Sequence, residues 1–188
     1  MKWYKDDEFI RGKVPMTKFD IRVLSCSELE LEKKDKVLDI GGGTGSMTIQ
    51  MSECADEGHI FTIEKSKEAL ELIYKNKDKF NKNNISIIDG EAPFDLPNSN
   101  FDKVFIGGSS GKLEEIFDYL NTHLNKGGKI AMHFILLENA FEAIKFLKLN
   151  KYKDISVKQV SINNLTALGS GHFLKPNNPI IIISGKRV

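Results

Sequence analysis

Apolar positions along the chain follow two different periods. Short apolar runs of strand length alternate with stretches in which apolar residues recur three and four positions apart, as on one face of a helix. The runs predict strands at about 36–40, 59–64, 85–88, 104–106, 129–136, 155–163 and 179–185. The chain is therefore expected to form seven strands, with no helical pattern between the last two.

Helical patterns fill most of the intervals between these strands. Thr17 followed by Asp20 resembles a capping box and predicts a helix over about 17–30, before the first strand. Ser66 is expected to cap the helix after the second strand. A stripe from Leu113 to Leu124 predicts a helix after the fourth strand, stopping near Gly127.

Alternation of strands and helices predicts an α/β fold with a mostly parallel sheet. The closing pair of strands has no helix between its members, so the last strand is expected to be antiparallel. The absence of repeats or linkers predicts a single domain over residues 1–188. Residues 1–16 show no periodicity and are expected to form an N-terminal flap outside the core.

The first predicted strand runs directly into a cluster of glycines, Gly41–Gly45. This is typical of a loop that binds a nucleotide-like ligand, because glycine permits positive φ and close approach. The spacing is G-x-G-x-G, and Ser46 breaks the dinucleotide fingerprint G-x-G-x-x-G. Asp39 would repel a pyrophosphate, whereas it would attract the ammonium and sulfonium of S-adenosylmethionine. This cofactor therefore suits the loop better than NAD.

Glu64 ends the second predicted strand, where a carboxylate can accept hydrogen bonds from both ribose hydroxyls. An acid before the glycine loop and another after the second strand are typical of a Rossmann-like, class I S-adenosylmethionine-dependent methyltransferase. Ligands of open α/β sheets bind outside the carboxyl ends of the strands. Four strand-end segments are therefore expected to converge in one crevice: Gly41–Gly45, Glu64, Asp89–Ala92 and Gly107–Gly111. Each segment taken singly is also explained by ordinary turn chemistry.

The net charge and the spacing of the cysteines argue against some classes of function. The net charge of +1, from 27 basic and 26 acidic residues, argues against a dedicated nucleic-acid-binding protein. Cys26 and Cys54 lack metal-ligand spacing and are expected to be reduced and buried, with no metal site. The N-terminus lacks a signal-peptide core and no apolar stretch approaches about 20 residues, so a cytoplasmic protein without membrane contact is expected.

Several segments together resemble the precorrin and cobalt-precorrin C15-methyltransferases of vitamin B12 synthesis, over about residues 10–185. The segments are Val14–Lys18, Asp39–Gly45, Asp89–Pro93, Gly107–Ile116 and Leu136–Glu138. The run Gly-Gly-Ser-x-Gly-x-Leu-x-Glu-Ile from Gly107 is the most discriminating, because most Rossmann-like methyltransferases have no second glycine loop there.

The resemblance implies a specific reaction. It implies S-adenosylmethionine as cofactor, methylation of C15 of cobalt-precorrin-6B, loss of carbon dioxide from the C12 acetate, and homotetramers. A free-standing chain of 188 residues resembles the anaerobic, cobalt-early enzyme, whereas the oxygen-dependent pathway uses such a domain as half of a longer C5,C15 enzyme.

The resemblance also suggests a set of cofactor contacts. With the two acids, the expected cofactor-binding residues are Thr17, Asp39, Gly41, Gly42, Gly43, Thr44, Gly45, Glu64, Glu91 and Ala92. The chain departs from the family pattern at Gly42, where Cys or Ala is frequent, and at Ser110, where Gly is commoner. The segment Leu168–Phe173 follows no motif of the family.

A corrin precursor carries several carboxylates, so a basic rim is expected around its site. The candidate substrate-binding residues are Arg11, Lys13, Lys18, Arg22, Gly108, Ser109, Lys112 and His172. His172 is a candidate proton donor after decarboxylation. For each cation a solvated surface position is the competing interpretation. No catalytic residue is assigned, and His59, His123 and His133 receive no role.

Two other classes of function stay open. An RNA or protein methyltransferase would use the same cofactor half, although no Asn-Pro-Pro-Tyr-like motif follows the fourth strand. A non-catalytic S-adenosylmethionine-binding protein would keep Asp39 and Glu64 and lose methyl transfer.

Overall fold

The computed structural model describes residues 1–188. A short 3-10 helix at Asp6–Glu8 precedes the regular elements. These are, in chain order, α1 (Phe19–Leu29), β1 (Lys36–Ile40), α2 (Ser46–Cys54), β2 (His59–Glu64), α3 (Lys67–Lys79), β3 (Ile85–Asp89), β4 (Phe101–Ile106), α4 (Leu113–His123), β5 (Leu124–Phe134), α5 (Leu137–Leu149), β6 (Lys153–Val160), β7 (Asn163–Leu168), β8 (Gly171–Pro176) and β9 (Ile180–Lys186). None of the helices combines the length and apolarity needed to cross a bilayer.

Seven strands form one twisted sheet in the order β3-β2-β1-β4-β5-β9-β6. The pairs among β1 to β5 are parallel, whereas β9 runs antiparallel to both β5 and β6. The predicted fold class and the antiparallel last strand are thus confirmed. The carboxyl ends of β2, β1 and β4 lie side by side at the centre of the sheet, because Ile40 of β1 is paired with Ile63 of β2 and with Ile106 of β4.

The segment between β6 and β9 differs from the prediction. The apolar runs predict no strand between about residues 163 and 179, but β7 and β8 pair antiparallel there as a separate hairpin. All six residues of β8 are exposed. Without a buried face the hairpin lacks the alternation of apolar and polar residues by which strands are predicted. His172 accordingly lies on an exposed strand.

Helix starts follow the predicted signals only in part. The Ser66 hydroxyl accepts a hydrogen bond from the Ala69 amide at 3.4 Å, which confirms the predicted cap of α3. The capping box predicted at Thr17 is wrong: α1 begins at Phe19, and its N-cap residue, Lys18, makes no side-chain cap bond.

The sheet buries a hydrophobic cluster on each face because side chains alternate along β1. Leu38 belongs to the larger cluster, which α4 and α5 cover with side chains such as Phe117 and Leu147. Val37 belongs to the smaller cluster beneath α1 and α2. The two cysteines are unpaired and buried in this smaller cluster, as predicted.

The N-terminal segment is part of the core, so the predicted flap over residues 1–16 is wrong. Tyr4, Phe9 and Met16 are buried in the smaller cluster. The Tyr4 ring lies edge-on to Phe80, with 4.6 Å between ring centroids. Aromatic residues without helical or strand spacing have packed onto the sheet layer as irregular chain, which periodicity does not reveal.

Arg22 fixes this segment from within the protein. Its side chain is completely buried and donates to a carboxylate oxygen of Asp6 at 2.8 Å. It also donates to the carbonyl oxygens of Thr17 and Tyr4, each at 2.6 Å. The prediction of Arg22 at a basic rim is therefore wrong, because its charge is neutralised inside the fold.

Replacing Arg22 by Leu should loosen residues 4–17 and lower the free energy of unfolding by roughly 2–4 kcal/mol, because the buried Tyr4 carbonyl loses its donor and the Thr17 carbonyl keeps only a 3.4 Å bond from Ser46. Hydrogen exchange resolved by segment measures this effect. Arg11→Leu is the matched control, because Arg11 is exposed and makes no side-chain bond within the fold. Equal protection of residues 4–17 in both variants would contradict the anchoring role.

Candidate active site

A cavity of about 830 Å³ opens at the carboxyl ends of β1 to β5. Its wall includes Gly41–Thr44, Glu64, Gly90–Ala92 and Gly107–Gly111. The structure thus brings together the four strand-end segments predicted to converge. The N-terminal stretch Val14–Lys18 closes one side, so Thr17 and Lys18 also face the cavity.

Two glycine loops touch at the floor of this cavity. A Cβ on Gly41 would lie 2.8 Å from the amide nitrogen of Gly108, and Gly41 has a φ of +79°. Both observations require glycine. A Cβ on Gly108 would meet no atom within 4 Å, so the free side of this residue is open to the cavity.

Gly42 has no room for a side chain. A Cβ here would lie 2.4 Å from the Thr62 hydroxyl oxygen and 2.9 Å from the Ile73 Cδ1 atom. In this chain those two side chains fill the space that a larger residue at position 42 would need.

The Glu64 carboxylate binds the glycine loop. It accepts hydrogen bonds from the amides of Gly43, Lys65 and Ser66, each at 2.9 Å. A carboxylate offers about four acceptor sites. Three are used here, which leaves one for a ligand hydroxyl at the cavity wall. The prediction that Glu64 accepts from both ribose hydroxyls would require one of these amides to be released.

Asp39 lies behind the glycine loop and does not line the cavity. Its side chain is completely buried, with one oxygen accepting from Thr48 at 2.5 Å and the other without a partner. Burial raises the pKa of Asp39 to about 7, against the hydrogen bonds from Thr48 and Thr62, which lower it. The expected direct contact with a ligand is thus corrected to an electrostatic influence from beneath the loop.

The raised pKa of Asp39 predicts a pH-dependent stability. Folding raises the pKa of Asp39 from 3.8 to about 7, so the folded protein binds the proton more tightly than the unfolded chain. The contribution of this proton to the free energy of unfolding is complete below the unfolded pKa, and it is lost as pH rises through the folded pKa. Asp39→Asn removes this dependence. The wild-type free energy of unfolding should fall relative to the variant by up to about 4 kcal/mol between pH ~4 and pH ~8, since each pKa unit corresponds to 1.36 kcal/mol.

Urea denaturation of both proteins across that pH range measures the difference. Titrating groups elsewhere in the protein cancel between the two proteins. Parallel curves would show that Asp39 is ionised in the fold at all these pH values.

Lys112 is not a free cation at the rim. Its ammonium lies 2.9 Å from one Glu91 oxygen, and the Lys65 ammonium lies 2.9 Å from the other. These two lysines lower the pKa of Glu91, Lys112 most strongly. Loops after β2, β3 and β4 are thereby joined across the outer edge of the cavity.

The other predicted substrate residues divide clearly. Lys18, Gly108 and Ser109 line the cavity, whereas Arg11, Lys13 and His172 are exposed outside its wall. Lys18 and Lys65 are the only lysine or arginine residues on the wall. The basic rim predicted from the sequence is therefore not formed.

Sequence reasoning missed the far wall of the cavity. It is mostly apolar and comes from the end of β5 and the chain flanking the hairpin: His133, Phe134, Ile135, Leu136, Asn139, Val160, Ile162, Asn177, Asn178 and Ile180. The end of β5 could have been found, because its carboxyl end meets the same sheet edge as β1 to β4. The residues beside the hairpin carry no comparable signal.

The sheet order, the glycine loop after β1 and the acid at the end of β2 define a Rossmann-like class I methyltransferase. The TM-score to an O-methyltransferase from Thermotoga maritima is 0.79 at 18% identity, which shows the shared fold alone.

The chain belongs to the precorrin methyltransferase family, whose domain matches residues 7–187. Cobalt-precorrin-6B C(15)-methyltransferase (decarboxylating) of Salmonella typhimurium is 39% identical over 181 residues, covering 96% of this chain and 94% of that protein. A probable enzyme of the same name from Saccharolobus solfataricus is 40% identical over 187 residues, covering 97% and 94%.

Solved structures agree with this assignment. Precorrin-6y C5,15-methyltransferase from Geobacter metallireducens has a TM-score of 0.91 at 33% identity, covering 98% of this chain and 97% of that one. Precorrin-8W decarboxylase from Methanobacterium thermoautotrophicum has a TM-score of 0.89 at 30% identity, covering 97% and 98%. The predicted family is confirmed.

Proposed function

We propose that the chain transfers a methyl group from S-adenosylmethionine to C15 of cobalt-precorrin-6B and releases carbon dioxide from the C12 acetate, in anaerobic cobalamin biosynthesis. The observation that carries the proposal is the single large cavity, in which a glycine-loop wall faces an apolar wall. Relatives that match nearly the full chain are named for this reaction.

The near wall is the part of the cavity wall formed by Thr17 and the loops after β1, β2 and β3, and it fits the cofactor. Thr17, Gly41–Thr44, Glu91 and Ala92 lie on it, and Glu64 offers its remaining acceptor site. Gly45 lies behind it as the N-cap residue of α2, with a φ of +77°. The Asp39 carboxyl lies beneath the loop with one oxygen that has no protein partner, and in its ionised form it favours a cationic ligand. When bound, S-adenosylmethionine supplies an electrophilic methyl group on its sulfonium.

The far wall fits a macrocycle. Phe134, Ile135 and Leu136 offer apolar surface that excludes water from one face of a flat ring. Gly108, open toward the cavity, lets the ring approach the near wall. An electron-rich ring carbon needs chiefly alignment with the methyl group, and positioning of this kind lowers a barrier by roughly 7–11 kcal/mol. Lys18, which makes no ion pair within the protein, is available to a carboxylate of the substrate.

The proposal extends to assembly and location. We place the enzyme in the cytoplasm and propose a homotetramer, which is the assembly that the family resemblance implies. Exposed apolar side chains near the start of α5 and outside the cavity wall, including Leu137 and Phe141, support self-association. The alternatives, an RNA or protein methyltransferase and a non-catalytic binding protein, are separated from the proposal by turnover.

S-adenosylhomocysteine should raise the melting temperature of the protein, whereas NAD should not. Glu64→Ala should weaken S-adenosylhomocysteine binding about tenfold or more, because a charged acceptor contributes roughly 1.5–3 kcal/mol. Glu64→Gln, which keeps one acceptor oxygen, should lose less. Isothermal titration measures the affinities, with Glu114→Ala on the exposed face of α4 as control. Stabilisation by NAD alone, or undiminished affinity in Glu64→Ala, would contradict the assignment of the near wall.

Anaerobic incubation with cobalt-precorrin-6B and S-adenosylmethionine should yield a product that has gained one methyl group and lost one carbon dioxide. Gly108→Val should reduce turnover at least tenfold, because a Cβ at this position meets no protein atom within 4 Å and the new side chain takes up cavity space. Gly171→Val, at a similarly open glycine on the hairpin, is the matched control.

Mass spectrometry follows the product, and RNA and a protein mixture serve as competing substrates. No mass change in the tetrapyrrole with the cofactor demonstrably bound would reject the reaction. Methylated RNA or protein would identify one of the alternatives.

A further inference from the structure

His133 is the one imidazole on the cavity wall. It lies near the end of β5, opposite Ile182 of β9, and its ring stands edge-on to Phe105 with 4.7 Å between centroids. Neither the cofactor contacts nor the apolar packing described above uses its ring nitrogens. The residue is partly exposed and belongs to the cavity wall.

One ring nitrogen is held inside the protein. His133 Nε2 lies 2.5 Å from the hydroxyl oxygen of Ser25. That hydroxyl donates its only proton to the carbonyl oxygen of Ile21, one turn earlier in α1, at 2.6 Å. With its proton directed at Ile21, the Ser25 oxygen accepts from the imidazole, and this arrangement places the imidazole proton on Nε2.

The other ring nitrogen consequently carries a lone pair. His133 Nδ1 makes no hydrogen bond within the protein. Unlike Asp39 Oδ1, which is inaccessible to solvent and has no partner, this nitrogen is accessible to solvent. Burial lowers the pKa of His133 to about 4, so the ring is neutral at neutral pH. Its contacts across the strands and α1 are Ser25, Phe105 and Ile182, none of which is charged.

We propose that His133 is a substrate-contacting residue whose Nδ1 lone pair recognises an electron-pair acceptor of the tetrapyrrole. This inference rests on the proposed function. It adds the side chain of the far wall that contacts the macrocycle. Two sources supply such an acceptor: a cobalt ion held by the macrocycle, or a ring N–H of the metal-free macrocycle. A histidine whose second nitrogen donates to a fixed partner is the usual arrangement of an imidazole that offers its lone pair to a metal.

The tautomer is tested first, without substrate. Nitrogen-15 NMR of the free protein should show His133 protonated on Nε2 and unprotonated on Nδ1. Ser25→Ala should remove this preference and produce a mixture of tautomers. A wild-type ring protonated on Nδ1 would overturn the proposal whatever reaction the enzyme catalyses.

The substrate contact is tested by substitution. His133→Leu should raise the KM for the tetrapyrrole about tenfold while S-adenosylhomocysteine affinity changes less than twofold. His133→Asn, whose amide oxygen can occupy nearly the position of Nδ1, should restore most of the loss. His123→Leu is the control, because His123 lies at the end of α4 outside the cavity wall. Turnover by the wild type with an unchanged KM in His133→Leu would overturn the proposal and leave the proposed function intact.

Cobalt-containing and metal-free forms of the same precursor distinguish the two sources. Splitting of the cobalt(II) electron paramagnetic resonance signal by one nitrogen, lost in His133→Leu, would identify cobalt as the acceptor. An equal dependence of the KM on His133 with the metal-free precursor, without that splitting, would identify a ring N–H. Dependence of neither form on His133 would reject the contact.

Discussion

The close approach of two loops at the centre of the sheet is the constraint on which the site depends. β1 and β4 are hydrogen-bonded neighbours whose last residues, Ile40 and Ile106, are opposite each other. The chain must therefore turn away from both strands at the same place. Gly41 and Gly108 meet there with no room for a side chain on the first. Every other part of the wall is positioned relative to this contact, because β2 and β5 flank the same two strands.

This arrangement could be predicted from the sequence because the carboxyl ends of parallel strands lie at the same edge of the sheet. Apolar runs identify β1 to β5, and their carboxyl ends meet at one edge of the sheet, so the near wall could be named residue by residue. The boundaries were less accurate: β5 starts at Leu124, within the stretch that the helical stripe had assigned to α4. The spacing of Leu124 fits a helix, but pairing with Phe101 holds it in the sheet.

Side-chain pairing over long sequence distances was not predictable in the same way. Nothing local to Arg22 shows that Asp6 will neutralise it, and nothing local to Lys112 shows that Glu91 will do so. The same limit applies to His133, whose partner Ser25 is 108 positions away. The cavity wall is therefore nearly neutral. Most of the basic residues that were predicted at the rim are paired with carboxylates of the protein or exposed to solvent.

The anchoring of the N-terminal segment has a thermodynamic consequence. Residues 1–18 hold aromatic side chains in the core through Arg22 and also contribute Val14–Lys18 to the cavity wall. Ligand occupancy and the ordering of this segment are therefore linked equilibria. A molecule that contacts Thr17 or Lys18 in the ordered state favours that state, and a change that raises the ordered fraction of the segment strengthens the apparent affinity for the ligand in proportion.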